Sequence, residues 1–144
     1  ATVDTPGCRA DTKSHIYSDA GLLTITLDGS AKDVRGAAFK AVETLKKIAG
    51  GEINKEDIKK AVSRAKFKEL EFGQEIWAGI ELTGAGLVHG DKAYQIDETA
   101  KAIDGVSEEA VKKAAAQLLE NKASVSSVGD LFVLPWAEEI GLKV

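Results

Sequence analysis

The first clear pattern along the chain is alternation. Leu23, Ile25 and Leu27 are separated by Thr24 and Thr26, the period-two signature of a half-buried strand, and Asp28-Gly29 ends it. The strand signal runs over 14–27, and His15-Ile16-Tyr17 either begins this strand or belongs to a preceding one. Residues 1–13 are polar, carry the Pro6-Gly7 turn pair, and read as a loose leading segment. From Ser30 the period changes. Val34, Ala37, Ala38, Ala41, Val42, Leu45 and Ile48 make one apolar stripe at helical spacing, with Asp33 placed for an N-terminal cap and Gly50-Gly51 as the stop.

A second helix opens at Asn54, with Glu56 and Asp57 in its first turn and Ile58, Ala61, Val62 and Ala65 on its apolar side. Gly73 breaks it. The next helical piece carries Ile76, Ile80, Leu82 and Leu87, and also Gly79, Gly84, Gly86 and Gly90. Each glycine costs about 1 kcal/mol of helix propensity, so this piece needs close packing to hold it. A short helix follows over about 94–103. Ser107 caps another, with Val111, Ala114, Ala115, Leu118 and Leu119 facing inward. Residues 123–128 read as a strand with Val125 and Val128 buried, and 131–144 as a tail with Pro135 and Trp136. The order is strand, four or five helices, strand. That predicts an α+β domain with helices packed on one face of a largely antiparallel sheet, although two strands are few for so many helix faces.

Composition narrows the class. The 144 residues suit one domain. Nineteen Lys and Arg against 23 Asp and Glu leave a net charge of -4, which argues against a nucleic-acid partner. No apolar run approaches the ~20 residues that span a bilayer. The lone Cys8 excludes an internal disulfide, and the absence of methionine reads as a processed chain or a fragment.

Candidate chemistry is sparse. His15 and His89 lie far apart, Cys8 is the one further soft ligand, and no pair has the spacing of a zinc site. Gly84-Ala85-Gly86 with Gly90 lacks the strand-to-helix context of a phosphate loop, so tight helix packing explains it better. Glu69, Glu71 and Glu75 fit a solvated helix face. Trp77 reads as core. Trp136, beside Pro135, is an anchor either for its own domain or for a partner. No catalytic, cofactor-binding or metal residue is expected.

Three motifs carry a resemblance: Tyr17-Ser18-Asp19-Ala20-Gly21-Leu22 at the strand opening, Ile103-Asp104-Gly105-Val106-Ser107-Glu108-Glu109 before the last helix, and Ala123 to Leu131 followed by Pro135 and Glu138-Glu139. In order and spacing they resemble the core protein 2 family of mitochondrial complex III, over nearly the whole chain from Ser14. That family is similar in fold to the two-halved zinc peptidases of the pitrilysin type, including the mitochondrial processing peptidase. The resemblance implies that residues 1–144 form one domain, most of the C-terminal domain of a larger subunit, lacking that domain's first strands. It implies a non-catalytic structural subunit of ubiquinol–cytochrome c reductase without a cofactor of its own, peripheral on the matrix side of the inner membrane. Core protein 1 and other complex III subunits would be its partners, and the isolated chain would self-associate through an open sheet edge. The family's zinc motif, H-x-x-E-H, does not occur in this chain, so no metal ligand carries over. The alternative is a processing-peptidase subunit whose C-terminal region walls the peptide chamber.

Overall fold

A computed structural model describes residues 6–17, 19–90 and 92–144 of the chain. Two strands and five helices follow one another: β1 (Cys8–Ile16), β2 (Gly21–Gly29), α1 (Ala31–Gly50), α2 (Lys55–Gly73), α3 (Ile76–Gly90), α4 (Ile96–Asp104) and α5 (Glu108–Glu120). They fall into two compact units, Ala1–Glu52 with Val111–Val144, and Ile53–Ala110.

In the first unit β1 and β2 form an antiparallel hairpin in which Ala10 pairs with Leu27, Thr12 with Ile25 and Ser14 with Leu23. The Tyr17 N–H donates to the Ala20 carbonyl at 2.9 Å and closes the turn between them. The apolar alternation of β2 is met in part: Leu23 and Leu27 are half-buried and Thr26 is exposed, but Ile25 is 44% exposed and Thr24 half-buried. α1 lies against this hairpin, which gives the expected α+β class with a helix on an antiparallel sheet.

Two strand assignments need correction. The leading segment is not loose throughout, because β1 starts at Cys8. The alternation there is hard to see, since the residues sharing a face with Leu23, Ile25 and Leu27 are Cys8, Ala10, Thr12 and Ser14, small side chains with little hydrophobic contrast. Residues 123–128 belong to no ladder. The Ala123 N–H bonds the Lys143 carbonyl at 2.7 Å, and Val125 and Val128 are 44% and 96% exposed rather than buried. β-branched residues favour a strand, but a bonded partner defines one.

α1 follows its sequence signals closely. The Ser30 hydroxyl accepts from the Asp33 N–H at 3.3 Å and donates to the Asp33 carboxylate at 2.6 Å, a reciprocal cap worth about 1 kcal/mol. Gly51 ends the helix with φ at 86°, in the left-handed region where glycine carries no Cβ penalty, and its N–H reaches the carbonyls of Ile48 and Lys47. Ala37 and Val42 of the predicted stripe are buried. On α5, Ala115 is buried and Val111 and Leu119 half-buried, but Ala114 and Leu118, expected inside, are exposed.

The C-terminal segment is not a free tail. It turns through several hydrogen bonds, among them Leu134 N–H to the Asp130 carbonyl and Leu142 N–H to the Ala137 carbonyl. It also buries Leu134, Ala137 and Ile140. Arg35 of α1 fastens it, donating through Nη1 to the Val133 carbonyl at 3.0 Å and through Nη2 to Glu139 Oε2 at 2.6 Å. The guanidinium also lies 5.5 Å from the centre of the Phe39 ring, within cation–π range.

The second unit contains α2, α3 and α4. Here Asn54 caps α2 by accepting from the Glu56 N–H at 3.0 Å. The covered side of α2 is Ile58, Val62, Lys66, Glu69 and Leu70, while Ala61 and Ala65 are exposed, against expectation. α3 departs most from its sequence reading. Its buried or half-buried positions are Ala78, Gly79, Leu82, Thr83 and Gly86. The larger side chains point outward: Ile76 is 77% exposed, Trp77 82% and Ile80 59%, so Trp77 is not core. Small residues line the covered side because the main chain of 92–94 passes directly over Gly86.

Candidate functional site

The residues singled out for chemistry do not form a reaction centre. His15 is half-buried on β1, its Nε2 3.3 Å from the Thr24 hydroxyl across the hairpin. Cys8 is a half-buried free thiol that makes a weak contact with the Arg9 carbonyl at 3.7 Å. His89 is exposed in the last turn of α3. Among the described residues no three His, Cys, Asp or Glu side chains come together as a metal site would require.

The three glutamates separate in role. Glu71 and Glu75 are exposed, as a solvated face predicts. Glu69 is half-buried and accepts a hydrogen bond from the Tyr94 hydroxyl at 2.7 Å. Burial first, and then this glutamate, push the Tyr94 phenol above its usual pKa, so the pair holds its proton on the phenol and pins α2 to the segment ahead of α4. The Gly84-Ala85-Gly86 stretch divides as well. Gly86 meets main chain closely, but Gly84 and Gly90 face open space, and packing therefore explains only one of the three glycines.

Two open grooves lie among the described residues. One, on the polar face of the hairpin, is lined by Arg9, Asp11, Thr26 and Asp28. The other, between α2 and α4, is lined by Lys66, Leu70, Asp97, Ala100, Lys101 and Asp104. In the second, Lys66 is already neutralised by Asp104 at 2.5 Å. Neither groove offers a nucleophile beside a base.

What the surface does offer is apolar area. On α3, positions 76, 80, 84, 87, 77 and 88 fall within about a third of the helical turn at 100° per residue. Leu87 and Val88 there are 53% and 76% exposed, beside Ile76, Trp77 and Ile80. No charged residue interrupts that stripe. Phe67 and Phe72 add 64% and 48% exposure on α2. In the first unit Phe132 is fully exposed and Trp136 is 64% exposed. The Trp136 ring is therefore not a buried anchor of its own unit; its main chain is engaged, the N–H donating to Glu139 at 3.4 Å and the carbonyl accepting from the Ile140 N–H at 3.3 Å. Apolar area on this scale marks contact surface rather than a solvated exterior. Sequence reading missed it because outward and inward apolar residues look alike in a helical period.

The Arg35–Glu139 link predicts a pH response. The Arg35 guanidinium and then the Trp136 N–H lower the Glu139 carboxyl from its ordinary value of 4.5. A carboxylate with a depressed folded pKa contributes stability above its unfolded value, and the contribution disappears as pH falls through the folded value. Trp136 emission, measured in a Trp77→Phe background, is expected to report release of the C-terminal segment only below pH 4.5. In Arg35→Ala the transition is expected to move upward toward 4.5; an unmoved transition would show that the pair does not hold the segment.

The fold and surface thus define an α+β chain rich in exposed apolar helix surface, with no clustered reaction centre among the described residues. Sequence comparison supplies the relationship. No family profile matches the chain. It is 48% identical over 144 residues, its whole length, to cytochrome b-c1 complex subunit 2, mitochondrial, of Neurospora crassa, of which it covers 32%. It is 31% identical over 137 residues to the protein of that name in Cryptococcus neoformans, covering 95% of this chain and 30% of the relative. In Schizosaccharomyces pombe the figures are 29% over 125 residues, 86% and 28%. Over its whole length the chain is similar to cytochrome b-c1 complex subunit 2, and it spans about a third of the length of the relatives it matches.

Proposed function

We propose that the chain is a non-catalytic structural part of the core subunit of mitochondrial ubiquinol–cytochrome c reductase. Residues 1–144 make up most of that subunit's C-terminal domain, on the matrix side of the inner membrane. Its partners are core protein 1 and other subunits of the complex. The observation that carries this reading is the 48% identity over the whole chain to a protein named for that complex. The exposed apolar stripe of α3 supports it, since a scaffold subunit needs surface to be covered by neighbours. No helix among the described residues is long and apolar enough to cross a membrane. The subunit contributes contact area and assembly, while electron transfer belongs to the other components.

The test is replacement. The matching third of the Neurospora subunit is exchanged for this chain, and complex III is followed by native electrophoresis and by ubiquinol-dependent cytochrome c reduction. Assembled complex with wild-type turnover per complex is expected. Failure to assemble, with the exchanged subunit stable and imported, would refute the reading. The purified chain is further expected to carry no stoichiometric zinc by elemental analysis and to cleave no presequence peptide. One tightly bound zinc, lost in His15→Ala or His89→Ala, would overturn the non-catalytic assignment.

A further inference from the structure

Asp-Gly is a pair at which a peptide chain readily rearranges on its own, because glycine puts no Cβ in the way of ring closure. The pair occurs twice in this chain, at Asp28-Gly29 and Asp104-Gly105. The second stands where α4 ends, and there the fold occupies both reacting groups. The Gly105 N–H donates to the Lys101 carbonyl at 3.1 Å and to the Ala102 carbonyl at 3.2 Å. The Asp104 carboxylate receives the Lys66 ammonium of α2 at 2.5 Å. α2 and α4 pack together within one compact unit, so all of these contacts are internal to it.

We propose that Asp104-Gly105 is a latent site of backbone isomerisation that the fold holds closed, with Lys66 as its guard. The reaction needs water alone. The Gly105 nitrogen attacks Cγ of Asp104 and loses its proton, one carboxyl oxygen departs as water, and a five-membered succinimide forms. Water then adds to one of the two ring carbonyls. Addition at Cγ restores aspartate. Addition at the main-chain carbonyl leaves isoaspartate, whose chain runs on through Cβ and Cγ. The helical backbone at Asp104 aims the Gly105 N–H at the preceding turn instead of at its own side chain. A hydrogen-bonded amide yields its proton only when the bond opens, and the ammonium holds the carboxylate toward α2. Crowding plays no part, because a Cβ on Gly105 would meet nothing nearer than 3.5 Å. Isomerisation lengthens the main chain by one carbon and displaces the carboxylate from Lys66, so a lock once opened does not close again. This inference is independent of the assignment to complex III.

The experiment is incubation of the whole chain in heavy-oxygen water near neutral pH, followed by peptide mapping. Each succinimide that opens takes up one labelled oxygen, so the label counts ring closures at each Asp-Gly pair. The urea-unfolded chain gives the rate without the fold. Asp104 in the native chain is expected to label about tenfold more slowly or less, as a closed segment should. Lys66→Met keeps the aliphatic stem and removes the charge. It is expected to speed labelling at Asp104 about two- to fivefold, the range that loss of an exposed ion pair supports, with Asp28 in the other unit unmoved. Lys66→Arg is expected to label as slowly as wild type. Gly105→Ala in the Lys66→Met background is expected to slow labelling again by hindering ring closure. Circular dichroism checks that each variant keeps its helices. Native labelling at Asp104 as fast as in the unfolded chain would overturn the proposal. So would a rate that Lys66→Met leaves unchanged, or one that Lys66→Arg raises as much as Lys66→Met does.

Discussion

Gly86→Ala is expected to lower the stability of the chain by about 2 kcal/mol, while Gly84→Ala, two residues earlier, raises it by about 1 kcal/mol. A methyl group at Gly86 would sit 2.5 Å from the Lys92 carbonyl oxygen and 3.2 Å from the Tyr94 nitrogen. Both are main-chain atoms, so relief requires moving the backbone rather than rotating a side chain. That same stretch is held by the Lys92 N–H bonding the Gly86 carbonyl at 3.3 Å, and it carries the Tyr94 hydroxyl to Glu69. Pushing it away therefore loosens the α2–α4 packing as well. Overpacking of this kind costs about 1–3 kcal/mol, the upper end being apt for main chain, and alanine's better helix propensity returns only part of it. At Gly84 nothing lies within reach of an added Cβ, and only the propensity gain remains. Urea titration of both variants is the measurement, with opposite shifts in midpoint expected at unchanged slope. Equal shifts in either direction would show that α3 does not run against 92–94 as described.

These two glycines also show where sequence reading stops. That α3 needs close packing followed from its glycine content, but which glycine makes the contact depends on what crosses it, and no period encodes that. The same limit explains Trp77 and Ile76. Their helical spacing was visible, but spacing fixes only which residues share a face; the covered face was decided by the small residues that allow close approach. β2 could be read because branched apolar residues alternate with threonine. β1 could not, since the face it shares with Leu23, Ile25 and Leu27 carries only Cys8, Ala10, Thr12 and Ser14. The caps of α1, α2 and α5 were legible because Ser30, Asn54 and Ser107 bond amides only two or three residues away. The packed C-terminal segment was illegible for the converse reason, as its fastening reaches from Arg35 to Val133 and Glu139, about a hundred positions along the chain. For the site, the exposure of Glu71 and Glu75 was readable as a solvated helix face. The recruitment of Glu69 by Tyr94 was not, being again a contact between elements.

The largest effect is expected at Ala37. Among the described residues it is the one buried apolar residue with no exposed surface, in the middle of the α1 stripe. The rest of the buried set is thin: alanines at 78, 100, 115 and 137, with Val42, Leu134 and Ile140 the larger members, and no large side chain fully enclosed among the described residues. A core of this kind leaves little reserve, and domains of this size are stable by only about 5–15 kcal/mol. Ala37→Asp would place a carboxylate where water cannot follow. The charge must then be desolvated, be protonated, or force α1 off its neighbours, and each route costs several kcal/mol. Gly36→Asp is the matched control, since Gly36 is exposed on the same helix with open space around its Cα. The same charge there is expected to change stability by about 0.5 kcal/mol or less, as at ordinary surface sites. Thermal melting followed by circular dichroism separates the two: near wild-type behaviour for Gly36→Asp, and loss of the cooperative transition of the hairpin–α1 unit for Ala37→Asp. That loss should ease as pH falls and the carboxyl takes up a proton, because burial favours its neutral form. A cooperative melt for Ala37→Asp at neutral pH, within a degree or two of wild type, would mean that α1 does not pack through Ala37.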